Sequence, residues 1–213
     1  MIVTNFKTYE EGTGSHASRL AKIIAKVSRE KGIRIIATPQ FTDISNVAKF
    51  CETFAQHIDA INFGANTGWI LPEAVKAAGA TGTFINHSEH RLSMKEIEKR
   101  IKRARQVGLE TLVCVATSAE VKKVKAFRPD WIAIEPPELI GSGKSVSTER
   151  PELVSRAVEA GRPRPVLCGA GVTNGRDVKK ALELGAKGVL IASGFVKASN
   201  PEKVLRELCD NFG

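Results

Sequence analysis

A fold of the α/β class, a closed (β/α)8 barrel, is predicted by three features of this 213-residue chain. Eight short apolar or β-branched runs recur along it, a longer amphipathic stretch follows each run, and Gly, Asn and Pro stand where those stretches would stop and start. Strands that alternate with helices pair in parallel. Eight such units in close repetition point to closure, whereas an open doubly wound sheet would need a topological switch point. The 42% hydrophobic content supports one substantial core, and the length is small for two ordinary α/β domains. One domain over residues 1–213, without linkers or low-complexity runs, is therefore expected.

The elements follow in order. Ile2-Val3-Thr4-Asn5 reads as the first strand, ahead of a helix over 15–31 stopped by Gly32. A second strand at 33–38 precedes a short helix at 43–49. The third strand is read at 50–56, although 60–64 is also a short apolar run and periodicity alone does not separate the two. Pro72 suits the first turn of a helix over 72–78, which Gly79 ends. After a fourth strand at 83–86, Ser93 with Glu96 forms a capping box for a helix over 93–106, followed by Gly108. Strands at 111–115 and 131–135 flank a helix at 118–126. A helix over 150–160, ended by Gly161, leads to a strand at 165–169. Asn174 caps a helix over 174–184 before Gly185, and a last strand at 188–191 precedes a helix over 201–210 with Asn200 and Pro201 at its start.

The formal charge of +9 suits an anionic partner. The basic residues are spread over most helices, and the densest stretch, 95–105, also carries Glu96 and Glu98 and reads as a solvated face. With nine Phe, one Tyr and two Trp, none interleaved with basic residues, a stacking platform is lacking and no nucleic acid partner is expected. A phosphorylated metabolite remains. Cys51, Cys114, Cys168 and Cys209 are far apart, with no metal-ligand spacing, and read as reduced core residues; neither metal nor cofactor is expected. Met1 leads directly into a strand and no apolar run approaches about 18 residues, so neither signal peptide nor membrane span is expected and the location should be cytoplasmic.

In a parallel barrel, reactive groups come from strand C-termini and the loops after them. Asn5 and Lys7 end the first strand, and Lys7 can offer a cation to a phosphate or an oxyanion. His87 and Glu89 follow the fourth strand, close to a helix N-terminus, where an imidazole can polarise a carbonyl. Glu135 closes the apolar run Trp131-Ile-Ala-Ile, and Pro136-Pro137 hold its backbone extended, so its carboxylate suits a general base. Taken singly, each also reads as an ordinary surface lysine, a structural histidine or a rim glutamate. Gly141-Ser142-Gly143, the turn from Cys168 to Val172, and Ala192-Ser193-Gly194 are small-residue turns suited to phosphate. Gly143-Lys144-Ser145 fails as a nucleotide P-loop, because the glycine required five residues before Gly143 is Glu138.

Asn5-Phe6-Lys7, Ala55-Gln56, Gly64-Ala65-Asn66-Thr67-Gly68, Asn86-His87-Ser88-Glu89, Glu135-Pro136, Gly141-Ser142-Gly143-Lys144 and Cys168-Gly169-Ala170-Gly171, in this order, resemble the triosephosphate isomerases, in particular their archaeal branch. The resemblance spans the chain and favours 50–56 as the third strand. It implies that Glu135 abstracts the substrate proton, that His87 is a neutral electrophile, and that Lys7 with Asn5 stabilises an enediolate, a division of roles for which this family is a standard worked example. It further implies a lid over 136–144 with Ile140 and Gly141, phosphate-binding amides at Gly171, Ala192 and Ser193, and electrostatic support from Glu89. Self-association through the loop around Thr67 follows as well, as a homodimer or homotetramer. The chain departs from bacterial and eukaryotic relatives in its lid start, Pro136-Pro137-Glu138-Leu139, and in having Cys168 and Gly171 where they have Tyr and Ser. Competing readings are an isomerase or aldolase of another sugar phosphate, a non-catalytic phosphometabolite-binding barrel and, from charge alone, a nucleic-acid binder.

Overall fold

The computed structural model describes residues 1–139 and 145–212. Its eight strands are β1 (Ile2–Asn5), β2 (Ile35–Thr38), β3 (Phe54–Ala55), β4 (Gly82–Ile85), β5 (Glu110–Val115), β6 (Trp131–Ile134), β7 (Val166–Cys168) and β8 (Val189–Ile191). They pair in parallel in the order β2-β1-β8-β7-β6-β5-β4-β3. The ring closes where Ala37 bridges Thr53 and donates its N–H to the Glu52 carbonyl at 2.9 Å. Around it lie α1 (Ser15–Lys31), α2 (Ile44–Val47), α3 (Pro72–Ala77), α4 (Met94–Val107), α5 (Ser118–Lys125), α6 (Val146–Glu149), α7 (Pro151–Gly161), α8 (Gly175–Glu183), α9 (Ser193–Val196) and α10 (Pro201–Cys209).

Period-two alternation divides the core in two. Val3, Ile36, Phe54, Phe84, Leu112, Ala133, Leu167 and Leu190, one from each strand, fill the barrel interior. Their neighbours, among them Ile2, Ile35, Val113, Ile132 and Val189, face outward and are covered by helices. Gly82 makes room for this filling, since a Cβ there would sit 2.5 Å from the Phe54 ring. At the N-terminal mouth Arg34 donates to Glu52 at 3.0 and 2.6 Å and also to Glu110, which accepts from Trp131 Nε1 as well. Burial pushes the Glu110 carboxyl up, but these hydrogen bonds prevail and hold it below its ordinary value.

The predicted caps form: Ser93, Asn174 and Asn200 accept the N–H of Glu96, Asp177 and Lys203. Four expectations are corrected. The third strand does not run from residue 50, because the N–H groups of Phe50 and Cys51 return to the Val47 carbonyl and only Phe54 and Ala55 pair with β4. The stretch 95–105 is not wholly solvated. Arg100 and Arg103 are buried and reach upstream, Arg100 to the Ile58 carbonyl (2.9 Å) and Asp59 (3.0 Å), and Arg103 to the Ile61 carbonyl (2.7 Å) and Glu73 (2.5 Å). They tie α4 to the first part of the loop after β3 and to α3. Gly161 belongs to α7 itself; it is needed for close packing, as a Cβ there would meet Val166 at 2.6 Å. Finally, Ser193-Gly194, read as part of a small-residue turn, is the start of the short helix α9.

Candidate active site

The C-terminal mouth gathers side chains that lie far apart in sequence. Asn5 is the last residue of β1 and faces inward, in phase with Val3. Its Oδ1 accepts the Lys7 N–H at 2.9 Å, and Lys7 holds a left-handed backbone with φ 47°. That conformation turns the chain so that Lys7 Nζ meets Glu89 Oε1 at 2.7 Å. Lysine rarely adopts it, and such strain clusters where function over-determines the backbone.

After β4, Asn86 has φ 65° and bridges two loops. Its Nδ2 donates to the Cys114 carbonyl at 2.7 Å, and its Oδ1 accepts the Leu92 N–H at 2.8 Å. The turn so fixed aims His87 into the mouth. His87 Nδ1 accepts the Glu89 N–H at 3.2 Å, so in this arrangement the ring is neutral and its proton resides on Nε2. His87 Nε2 is 3.4 Å from Asn5 Nδ2. Two N–H donors that face each other satisfy neither, and together they address a shared acceptor.

Glu135 follows β6, anchored by its N–H to the Val115 carbonyl at 2.8 Å. It is 4% exposed, and its Oε2 is buried without a hydrogen-bond partner among the described residues, 4.0 Å from His87 Nε2. A buried orphan carboxylate oxygen is costly in a core and useful where a proton is to be taken. Gly169, just after the neighbouring strand β7, leaves the space it needs: a Cβ there would lie 2.5 Å from Glu135 Cγ and 3.0 Å from Cδ and Oε1. Beside it, burial pushes the Cys114 thiol well above its ordinary range, and the Glu135 carboxylate adds to the shift. Cys168, behind the same carboxylate, is pushed up to about 12 by burial first, then by Asp177 and Glu135.

Asn5, Lys7, His87 and Glu135 line one cavity together with Gly171, Ala192 and Ser193. The residues predicted for the site thus meet, except Ile140 and Gly141, which lie outside the described residues. Glu89 joins them through Lys7. Among the described residues, no group of three or more His, Cys, Asp or Glu could hold a metal ion, and no helix is long and apolar enough to cross a membrane. Sequence reasoning did not single out Gly169, whose inward phase beside Glu135 was the available signal.

The family model described as triosephosphate isomerase matches residues 1–210. The chain is 50% identical to the triosephosphate isomerase of Methanocaldococcus jannaschii, covering 98% of both chains. It is 49% identical to that of Methanoculleus marisnigri (97% of this chain, 96% of the other) and 43% identical to that of Sulfurisphaera tokodaii (99% and 94%). The crystal structure of triosephosphate isomerase from Bartonella henselae superposes with a TM-score of 0.75 over 99% of this chain and 98% of that one; at 22% identity it speaks for the fold.

Proposed function

The chain belongs to the triosephosphate isomerase family, and on that premise we propose that Glu135, His87 and Lys7 carry the reaction. It is a triose-phosphate isomerase, interconverting dihydroxyacetone phosphate and D-glyceraldehyde 3-phosphate on a TIM barrel, the isomerisation of glycolysis and gluconeogenesis. The Glu135 carboxylate takes the proton from the carbon next to the carbonyl. The C–H electron pair becomes the C=C bond of an enediolate, and the carbonyl electrons move onto oxygen. His87 Nε2–H, Asn5 Nδ2–H and the Lys7 ammonium receive that oxygen; the hydroxyl proton passes from the neighbouring oxygen to it by way of His87, and Glu135 returns its proton to the adjacent carbon, which leaves the aldehyde and alcohol exchanged. One observation carries the reading: the Oε2 of Glu135, without a hydrogen-bond partner among the described residues, lies buried 4.0 Å from His87 Nε2, in the cavity that Asn5 and Lys7 also line.

The phosphate is assigned to backbone amides at Gly171, Ala192 and Ser193, with Ile140 and Gly141 closing over it as part of a lid spanning 136–144. Glu89 holds the Lys7 ammonium beside the site. The chain works as one barrel domain, cytoplasmic, without metal or cofactor. It associates with copies of itself through the loop around Thr67, whose Phe63 and Trp69 are 76% and 58% exposed. In a coupled assay, Glu135→Gln should bind substrate and lower turnover by about 10² to 10⁴. Parent turnover in that variant would overturn the assignment.

A further inference from the structure

Lys7 reaches the site only because its backbone stays in the left-handed region, and two side chains grip that backbone. Asn5 Oδ1 accepts its N–H at 2.9 Å. On the other side, Gln56 Nε2 donates to the Lys7 carbonyl at 2.9 Å and to the Thr38 carbonyl at 3.2 Å. The Thr38 carbonyl also accepts the Phe6 N–H at 3.0 Å. Both partners of Gln56 are acceptors, which fixes its nitrogen end toward them. Gln56 directly follows β3, Thr38 ends β2, and Lys7 lies just beyond β1, so one amide binds the ends of three strands beside the ring's closure.

We propose that Gln56 is a positioning residue for the isomerisation, holding Lys7 at positive φ so that its ammonium faces the substrate. The inference rests on the assignment of Lys7 to the reaction. Only a neutral amide of this length supplies two N–H donors to two carbonyls. Glutamate at position 56 would oppose two acceptors with a third, and methionine would leave both carbonyls bare. Released, the Lys7 backbone returns to an ordinary conformation, because an L side chain is disfavoured at φ 47°. Its ammonium then leaves the mouth.

Gln56→Met, Gln56→Glu and Lys7→Met are assayed in both reaction directions, alongside thermal melts. For Gln56→Met, kcat/KM should fall about 10- to 100-fold through both a raised KM and a lowered kcat, since the cation serves the bound phosphate and the developing oxyanion. For Gln56→Glu the ratio of its activity to that of the parent should rise between pH 8 and pH 6, as protonation restores one donor, whereas the Gln56→Met ratio stays flat. A merely structural role would lower the melting temperature without this split or this pH dependence. Parent kinetics in Gln56→Met beside an inactive Lys7→Met would overturn the inference, as would a pH-independent deficit in Gln56→Glu. An active Lys7→Met would instead remove the Lys7 assignment beneath it. Should Gln56→Met fail to fold, the pH profile of Gln56→Glu carries the test.

Discussion

Gly169→Ala perturbs the proposed base without touching it chemically. Gly169 is not among the residues of positive φ, so alanine meets no backbone penalty, and the effect is confined to one added methyl group. That methyl would sit 2.5 Å from Glu135 Cγ, whereas carbon atoms in contact prefer about 3.5–4.0 Å. The separation must therefore grow by about 1 Å or more. The Glu135 N–H is fixed to the Val115 carbonyl and the Gly169 N–H to the Ile134 carbonyl, at 2.8 and 3.0 Å, so the ladder resists and the carboxylate moves instead. A misplacement of about 1 Å costs about 10² in rate. Steady-state turnover should fall by about that factor while KM changes little. Added to Glu135→Gln, the same substitution should cost little more, because groups acting as a unit are not additive. Turnover within twofold of the parent, or an equal loss in both backgrounds, would refute the reasoning.

Two further expectations follow from the loop between β3 and α3. Burial is the main cause that holds His57 below its ordinary value of about 6.5, outweighing its hydrogen bond to Asp59 at 3.1 Å. The unfolded chain then binds the proton more readily, so stability is lost as pH falls through about 6.5; denaturant midpoints at pH 5.5 and 7.5 should differ less in His57→Gln than in the parent, and an unchanged difference would count against the assignment. If exposed Phe63 and Trp69 mediate self-association, Phe63→Ser with Trp69→Ser should lower the mass seen by light scattering; a parent that is itself monomeric would end that reading.

What could be read in advance was whatever is local. The Trp131-Ile-Ala-Ile-Glu run ending in two prolines announces both a buried strand and a carboxylate at its end, and Ser93, Asn174 and Asn200 announce helix starts, because a cap and its N–H are three residues apart. What escaped depends on contacts remote in sequence. Helical spacing cannot say that Arg100 and Arg103 turn toward a loop some forty residues upstream. A single turn such as α9 has no period to detect, and β3 owes its two paired residues to β4 rather than to its own apolar run. Gly169 reads as a turn residue until register is known: Ile134 pairs with Cys168, which brings the next residue of each strand, Glu135 and Gly169, side by side.

The same register argument separates function from stability at the two ends of the barrel. Inward-facing polar residues occur at both mouths, so their presence at strand ends does not mark a site. Their satisfaction does. At the N-terminal mouth Arg34, Glu52, Glu110 and Trp131 satisfy one another, and charges so paired hold three strand starts together. At the C-terminal mouth the pairing is left incomplete: among the described residues Glu135 Oε2 has no hydrogen-bond partner, Asn5 and His87 turn donors toward each other, and Lys7 is held in a conformation it would not choose. Each of those deficits would be made good by a small phosphorylated hydroxycarbonyl, whose proton, oxygen and phosphate supply what is missing. A barrel that completed these bonds internally would gain stability and have no reason to bind that substrate.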